Sequence, residues 1–93
     1  MGNKAHRILS RARVSKDNLK RADIISLYEG FDFEILDRKK HDLVRHKKHR
    51  HLFARLGKHR KLSEGYVDDA IHLIDKLLRL EVNNPRYQED KNG

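Results

Sequence analysis

The chain has 93 residues, 37% hydrophobic and 39% charged, and its 22 Lys and Arg residues against 14 Asp and Glu residues give a net charge of +8. This length allows one domain with a single modest core. Cysteine is absent, which excludes a disulfide framework, a thiolate zinc site and a cysteine nucleophile. No apolar run approaches the roughly 20 residues of a membrane span, and the N-terminus lacks the apolar core of a signal peptide. We therefore expect a cytoplasmic protein that does not contact membranes.

Two amphipathic helices are predicted at the start of the chain. The first spans Asn3 to Val14, where apolar residues recur at helical spacing. Residues 15–18 break this helix and offer capping side chains for the second one. The second helix is expected from Leu19 to about Tyr28, and the following Gly30 is well placed to end it.

Three strands and a last helix complete the predicted fold. The apolar period changes to two over residues 31–36, 41–46 and 51–56, with polar segments between them. Ser63 is a good N-cap for a helix whose apolar stripe begins at Val67 and extends to about Leu80. This order predicts an α+β fold: a two-layer sandwich in which helices cover one face of a three-stranded antiparallel sheet.

Alternation along the third strand separates a core face from an open face. The core face carries Leu52, Ala54 and Leu56, and the open face carries His51, Phe53 and Arg55. Phe53, flanked by two basic side chains, could stack on an RNA base, a contact worth about 1–3 kcal/mol. Tyr66, near the start of the last helix, is interpreted either as a cover for the edge of the core or as a second stacking residue.

The second strand leaves two alternatives open because each of its faces carries one aliphatic residue. Burial of Val44 would also bury the polar groups of Asp42 and His46. Burial of Leu43 on the other face would instead bury His41 and Arg45, which lie two positions before and after it. If Val44 faces the helices, His41 and Arg45 join His51 and Arg55 on the open face of the sheet.

Half of the cationic residues lie in one quarter of the chain. Residues 38–61 contain eleven Lys or Arg, five histidines and a single acid, Asp42. Such a charge density is typical of a polyanion-binding surface. Histidine adds proton transfer near neutral pH, so RNA cleavage by attack of a 2′-hydroxyl on the adjacent phosphate is a plausible reaction that requires no metal or cofactor.

Three other interpretations compete with RNA cleavage. The basic segment could bind phosphates without any chemistry. DNA recognition is disfavoured because no helix is basic enough to enter the major groove. A zinc site built from the hairpin histidines His46, His49 and His51 together with His41 is also disfavoured, because Asp42 is the only carboxylate in this segment.

The pattern resembles the HicA family of bacterial toxin–antitoxin mRNA interferases, which look like shortened double-stranded-RNA-binding domains. The resemblance covers roughly residues 19 to 80 and is carried by EGFDFEI at 29–35, HDLVRH at 41–46 and GKHRKL at 57–62. Lys39-Lys40 stand where the family has Gly-Ser, and Gly57-Lys58 where it has a proline before the histidine. On this basis the chain divides into an N-terminal helical extension, a HicA-like domain and a disordered tail, at residues 1–18, 19–81 and 82–93.

The resemblance implies a ribonuclease toxin in which His41 is the general acid or base of metal-independent mRNA cleavage. It also implies a HicB-like antitoxin as the neutralising partner, and the alternative is a non-catalytic RNA-binding protein of the same fold. The expected RNA contacts are Lys39, Lys40, Arg45, Phe53, Arg55, His59, Arg60 and Lys61.

Overall fold

The predicted α+β fold and its order of elements are confirmed. A computed structural model describes residues 3–16 and 19–82. Its elements are α1 (Asn3–Val14), α2 (Arg21–Gly30), β1 (Phe33–Leu36), β2 (His41–His46), β3 (Phe53–Gly57) and α3 (Glu64–Val82). The strands form one antiparallel sheet in the order β1-β2-β3. The predicted disordered tail lies outside the described residues from position 83 onward.

The core lies between the helices and one face of the sheet. All three helices contribute buried side chains, and α1 contributes Ala5, Ile8, Leu9 and Ala12. On α3 the predicted stripe is buried from Val67 to Leu77 and half-buried at Leu78 and Leu80. Leu73, which the sequence pattern did not include, is buried as well. Within the described residues, no helix is both long enough and apolar enough to cross a lipid bilayer.

Gly30 ends α2, as predicted, and it has a second role at the contact with α1. Among the described non-glycine residues, the one with a positive φ, 68°, is Asp32, two positions later. Asp tolerates this left-handed conformation better than most residues with a side chain. A Cβ at Gly30 would collide with the Cβ of Ala5, so the glycine permits the close approach of α1 and α2.

Three predicted boundaries are wrong by two residues. The helix α2 begins at Arg21 because Leu19 is buried in an extended segment and Lys20 forms an isolated β-bridge with Lys61. The cap is then supplied from inside the helix, where Asp23 accepts a hydrogen bond of 3.0 Å from the backbone N–H of Lys20. Residues 17 and 18 of the predicted capping segment 15–18 lie outside the described residues.

The two strand boundaries move for a similar local reason, namely the turns beside them. Phe31 and Asp32 form the turn after α2, so β1 begins at Phe33. The backbone N–H of Leu52 donates to the carbonyl of His49 at 2.8 Å, which holds the β2–β3 turn closed until Phe53. The third strand therefore runs from Phe53 through Gly57.

The face of β2 that carries Val44 is the buried one. Val44 lies in the core with no exposed surface, and Asp42 and His46 are buried beside it at 4% and 1% exposure. His41, Leu43 and Arg45 are half-buried on the open face. The predicted faces of the third strand are confirmed: Leu52, Ala54 and Leu56 face the core, and His51, Phe53 and Arg55 are exposed.

Candidate nucleic-acid interface

The predicted RNA contacts separate toward two ends of β2. The register pairs His41 with Gly57, Leu43 with Arg55 and Arg45 with Phe53. Since residues advance about 3.4 Å each along an antiparallel strand, His41 and Arg45 lie roughly 13 Å apart. Their shared position on the open face predicted a single cluster, but at this distance they do not form one. We call the two regions the His41 end (residues 37–41, 57–61 and Tyr66) and the hairpin end (residues 45–53).

A buried ion pair organises the His41 end. The carboxylate of Asp42 accepts hydrogen bonds from Lys58 Nζ at 2.9 Å and from the guanidinium of Arg21. Lys58 Nζ also contacts Asp37 Oδ1 at 2.5 Å. The hydrogen bond from Lys58 is the main cause that lowers the pKa of Asp42 below its ordinary value, and the charge of Arg21 acts in the same direction. Asp42 is thus held as an anion although it is buried.

Arg21 anchors the basic segment that follows β3. Its Nε donates to the carbonyl of Gly57 at 2.9 Å, and its backbone N–H donates to the carbonyl of Arg60 at the same distance. Lys58 meanwhile joins this segment to the turn before β2 through Asp37. The structure therefore brings the predicted contacts of both segments to one end of the sheet with their side chains exposed: Lys39, Lys40, His59, Arg60 and Lys61.

His41 lies beside an aromatic ring that the predicted site did not include. The centroids of the His41 and Tyr66 rings are 6.1 Å apart, and their planes are inclined by 45°. Tyr66 packs on the strand at Gly57, where a Cβ would lie 2.9 Å from its Cε2 atom. A side chain at position 57 would displace this ring, so the glycine at the strand end was the one sequence signal that could have located Tyr66. The tyrosine also covers the edge of the core, as predicted.

The hairpin end presents its predicted contacts differently. Arg45 donates to Glu34 Oε2 at 3.1 Å across the strand pair, so its charge is already compensated. Phe53 is 61% exposed, and Arg55, between the two ends, is exposed as well. No described acidic side chain lies within ion-pair distance of Arg55.

His46 is buried at the hairpin end and orders the turn. Its Nδ1 accepts hydrogen bonds from the backbone N–H groups of Lys48 and His49, at 3.1 and 3.0 Å. Burial lowers the pKa of His46, and the nearby His49 adds to this effect. The rings of His46 and His49 have centroids 4.9 Å apart and are inclined by 34°. Within residues 3–16 and 19–82, however, no group of three or more potential ligands could hold a metal ion.

The His41 end combines three chemical capacities. An imidazole can transfer protons near neutral pH, an aromatic ring can stack on a base, and exposed Lys and Arg side chains can bind phosphates. The buried carboxylate is occupied by Arg21 and Lys58, so it does not neutralise the exposed cations. Comparison of the chain with protein-family models, with curated proteins and with solved structures gives no match.

Proposed function

We propose that the protein binds RNA at the His41 end and cleaves it with His41 as a proton-transfer group. The convergence of exposed cations from two segments beside a half-buried imidazole carries this proposal. It agrees with the role that the resemblance to HicA toxins implies, namely an mRNA interferase of a toxin–antitoxin pair. A HicB-like antitoxin is then the neutralising partner.

The proposed reaction is an intramolecular transesterification. The 2′-hydroxyl loses its proton to a base and attacks the adjacent phosphorus, and the bond to the 5′-oxygen breaks as that oxygen takes up a proton. His41 serves one of these two transfers, a contribution of about 10²–10⁴-fold. Lys39, Lys40 and Arg60 stabilise the negative charge that accumulates on the phosphorane oxygens.

The fixed backbone that carries these cations supports this assignment. Hydrogen bonds from Arg21 to the carbonyls of Gly57 and Arg60, and the ion pairs of Lys58 with two carboxylates, hold the segment after β3 against the start of β2. Pre-organised charges cost little reorganisation during the reaction, which is why they stabilise a transition state better than mobile ones. Tyr66 offers its ring face to the base next to the cleaved phosphate.

A second candidate function is RNA binding without cleavage. A catalytic imidazole is commonly oriented by a hydrogen-bonded third group. Among the described residues the His41 side chain makes no hydrogen bond, and its neighbour in sequence, Asp42, points to the opposite face. This observation favours the non-catalytic alternative, in which the same cations bind phosphates and His41 is one of several polar contacts.

An RNA cleavage assay in the presence of a chelator separates the two functions. We expect the wild-type protein to cut a single-stranded RNA and His41→Ala to lose at least 100-fold in rate while it retains most of its affinity. His51→Ala, which removes an exposed imidazole outside the His41 end, is the matched control and should cleave normally. Intact RNA with retained binding in all three proteins would support the non-catalytic alternative. Equal cleavage by wild type and His41→Ala would reject His41 as the catalyst.

A further inference from the structure

The outer edge of β3 has unpaired backbone groups. β3 is the last strand of the sheet, and β2 pairs with only one of its sides. The N–H of His46 donates to the carbonyl of Leu52 at 3.0 Å, so Leu52, Ala54 and Leu56 direct their backbone groups toward β2. By alternation, Phe53 and Arg55 direct theirs outward. Apart from the sheet, no described residue hydrogen-bonds to the backbone of these two residues.

A groove runs between this edge and α3. It has a volume of about 370 Å³ and is lined by Phe53, Ala54, Arg55, Asp69, His72, Leu73 and Lys76. Its apolar lining residues are Phe53, Ala54 and Leu73, and 61% of the surface of Phe53 is exposed. Natural proteins usually cover or blunt such an edge, because it can pair with another strand.

The chemistry of the groove selects among possible occupants. An extended polypeptide offers donors and acceptors in alternation and can pair with both kinds of group at Phe53 and Arg55, whereas phosphates of a nucleic acid only accept. Two cations, Arg55 and Lys76, border the groove against one acid, Asp69. If a second copy of this chain bound here, Arg55 and the basic hairpin of one copy would lie against the same cationic residues of the other. Repulsion between these like charges opposes such a dimer.

We propose that the β3 edge binds an extended segment of a partner protein, which adds to the sheet as a fourth strand. The segment carries an apolar residue opposite Phe53 and an acidic residue opposite Arg55, two positions apart on the same face. The residue between them points into the groove toward Ala54 and Leu73. This goes beyond the proposed function, because it requires no RNA chemistry and lies on the side of β3 that faces away from β2 and the His41 end.

Selection from a displayed library of random octapeptides tests the proposal without a known partner. We expect enrichment of peptides with an acidic residue two positions from an aromatic or aliphatic one. A synthetic peptide of the enriched sequence should slow hydrogen exchange at the amides of Phe53 and Arg55. Enrichment without acidic residues, or protection confined to other amides, would overturn the proposal.

Substitutions then separate backbone pairing from charge. Arg55→Thr keeps the outward N–H, and Arg55→Pro removes it without breaking a bond to β2. Peptide affinity should fall at least tenfold further in the proline variant than in the threonine variant.

Lys76→Glu on the helix, where a charge change leaves the core intact, should also lower peptide affinity at least tenfold. Its control is Arg79→Glu, one turn along α3 outside the groove, which should bind normally. Unchanged peptide affinity in Lys76→Glu would overturn the proposal, and this test remains valid if Arg55→Pro does not fold.

Two other occupants have their own outcomes in this experiment. Residues 83–93 of the chain contain Glu89 and Asp90, and competition by this segment would make Glu89→Lys/Asp90→Lys bind the peptide at least tenfold more tightly. A single-stranded RNA that protects the same two amides at equal concentration would identify a nucleic acid as the occupant. Either result would overturn the assignment to a partner protein.

Discussion

The two ends of β2 bury a polar residue in opposite ways. At the His41 end, Asp42 is a buried anion held by Lys58 and Arg21. At the hairpin end, His46 is a buried imidazole that accepts two backbone hydrogen bonds, and its lowered pKa favours the neutral form. One end of β2 is therefore stabilised by an ion-paired carboxylate, and the other end requires a neutral imidazole.

This difference predicts how each end responds to acid. The pKa of Asp42 lies below its ordinary value of 3.8, so the ion pair is intact throughout the range in which histidines titrate. His46 loses its favourable neutral state in that same range. Mild acid should therefore loosen the hairpin while the arrangement around His41 persists.

The largest effect is expected from Asp42→Asn, which breaks the ion pair that organises the His41 end. Arg21 and Lys58 would lose a charged acceptor, although their partial exposure lets water compensate in part. We expect the free energy of unfolding in urea to fall by roughly 2–3 kcal/mol. Asp75→Asn, which breaks the surface pair with Arg13, is the control and should cost at most about 1 kcal/mol. Equal losses would mean that burial adds nothing at Asp42.

The hairpin end gives the next largest effect, a dependence of stability on pH. Because the folded pKa of His46 is lowered, the unfolded chain binds a proton that the folded chain excludes. This stability is fully present above the ordinary pKa of 6.5 and is lost as pH falls toward the folded pKa, at no more than about 1.4 kcal/mol per pH unit. Urea unfolding at pH 7.5 and 5.5 should show this loss in wild type and in His51→Gln. A loss of equal size in His46→Gln would contradict the assignment.

Tyr28→Phe should produce the smallest effect, in the stabilising direction. Tyr28 packs edge-on against Phe33, and Phe33 against His46, with centroids 5.3 and 4.9 Å apart. The buried hydroxyl of Tyr28 has no hydrogen-bond partner in the described part of the chain, and burial raises its pKa. Removal of this hydroxyl should raise the unfolding free energy by about 1 kcal/mol. A loss of stability would show that the hydroxyl has a partner in solution.

Local patterns predicted the fold well because each element carries its own period. The stripe on α3 and the alternation of β3 each identify a buried face without reference to the rest of the molecule. The sequence pattern did not determine which face of β2 is buried, because Val44 and Leu43 are equivalent in a pattern that counts only apolar residues. Contacts outside the pattern determine the buried face: Arg21 and Lys58 neutralise Asp42, and backbone N–H groups of the next turn donate to Nδ1 of His46. The Nε2 atom of His46 has no hydrogen-bond partner among the described residues.

Local sequence patterns predicted the residue types of the site but not which of its residues are neighbours. Residue types identified His41 and the cations, but the register of β2 against β3 determines which of them are neighbours. The pairing of Arg45 with Glu34 and the position of Tyr66 beside His41 depend on contacts between elements. Asp42, the single acid among eleven cations in residues 38–61, was the one local sign of a buried ion pair.

If RNA binds at the His41 end, cations at that end should determine how strongly RNA affinity depends on salt. Lys39→Gln/Lys40→Gln removes two cations from the His41 end, and Lys47→Gln/Arg50→Gln removes two from the hairpin end. Each phosphate contact with single-stranded RNA contributes about 0.7 to the slope of log affinity against log salt. We expect a slope shallower by about 1.4 in the first variant and unchanged in the second. An unchanged slope in the first variant together with a shallower one in the second would contradict RNA binding at the His41 end.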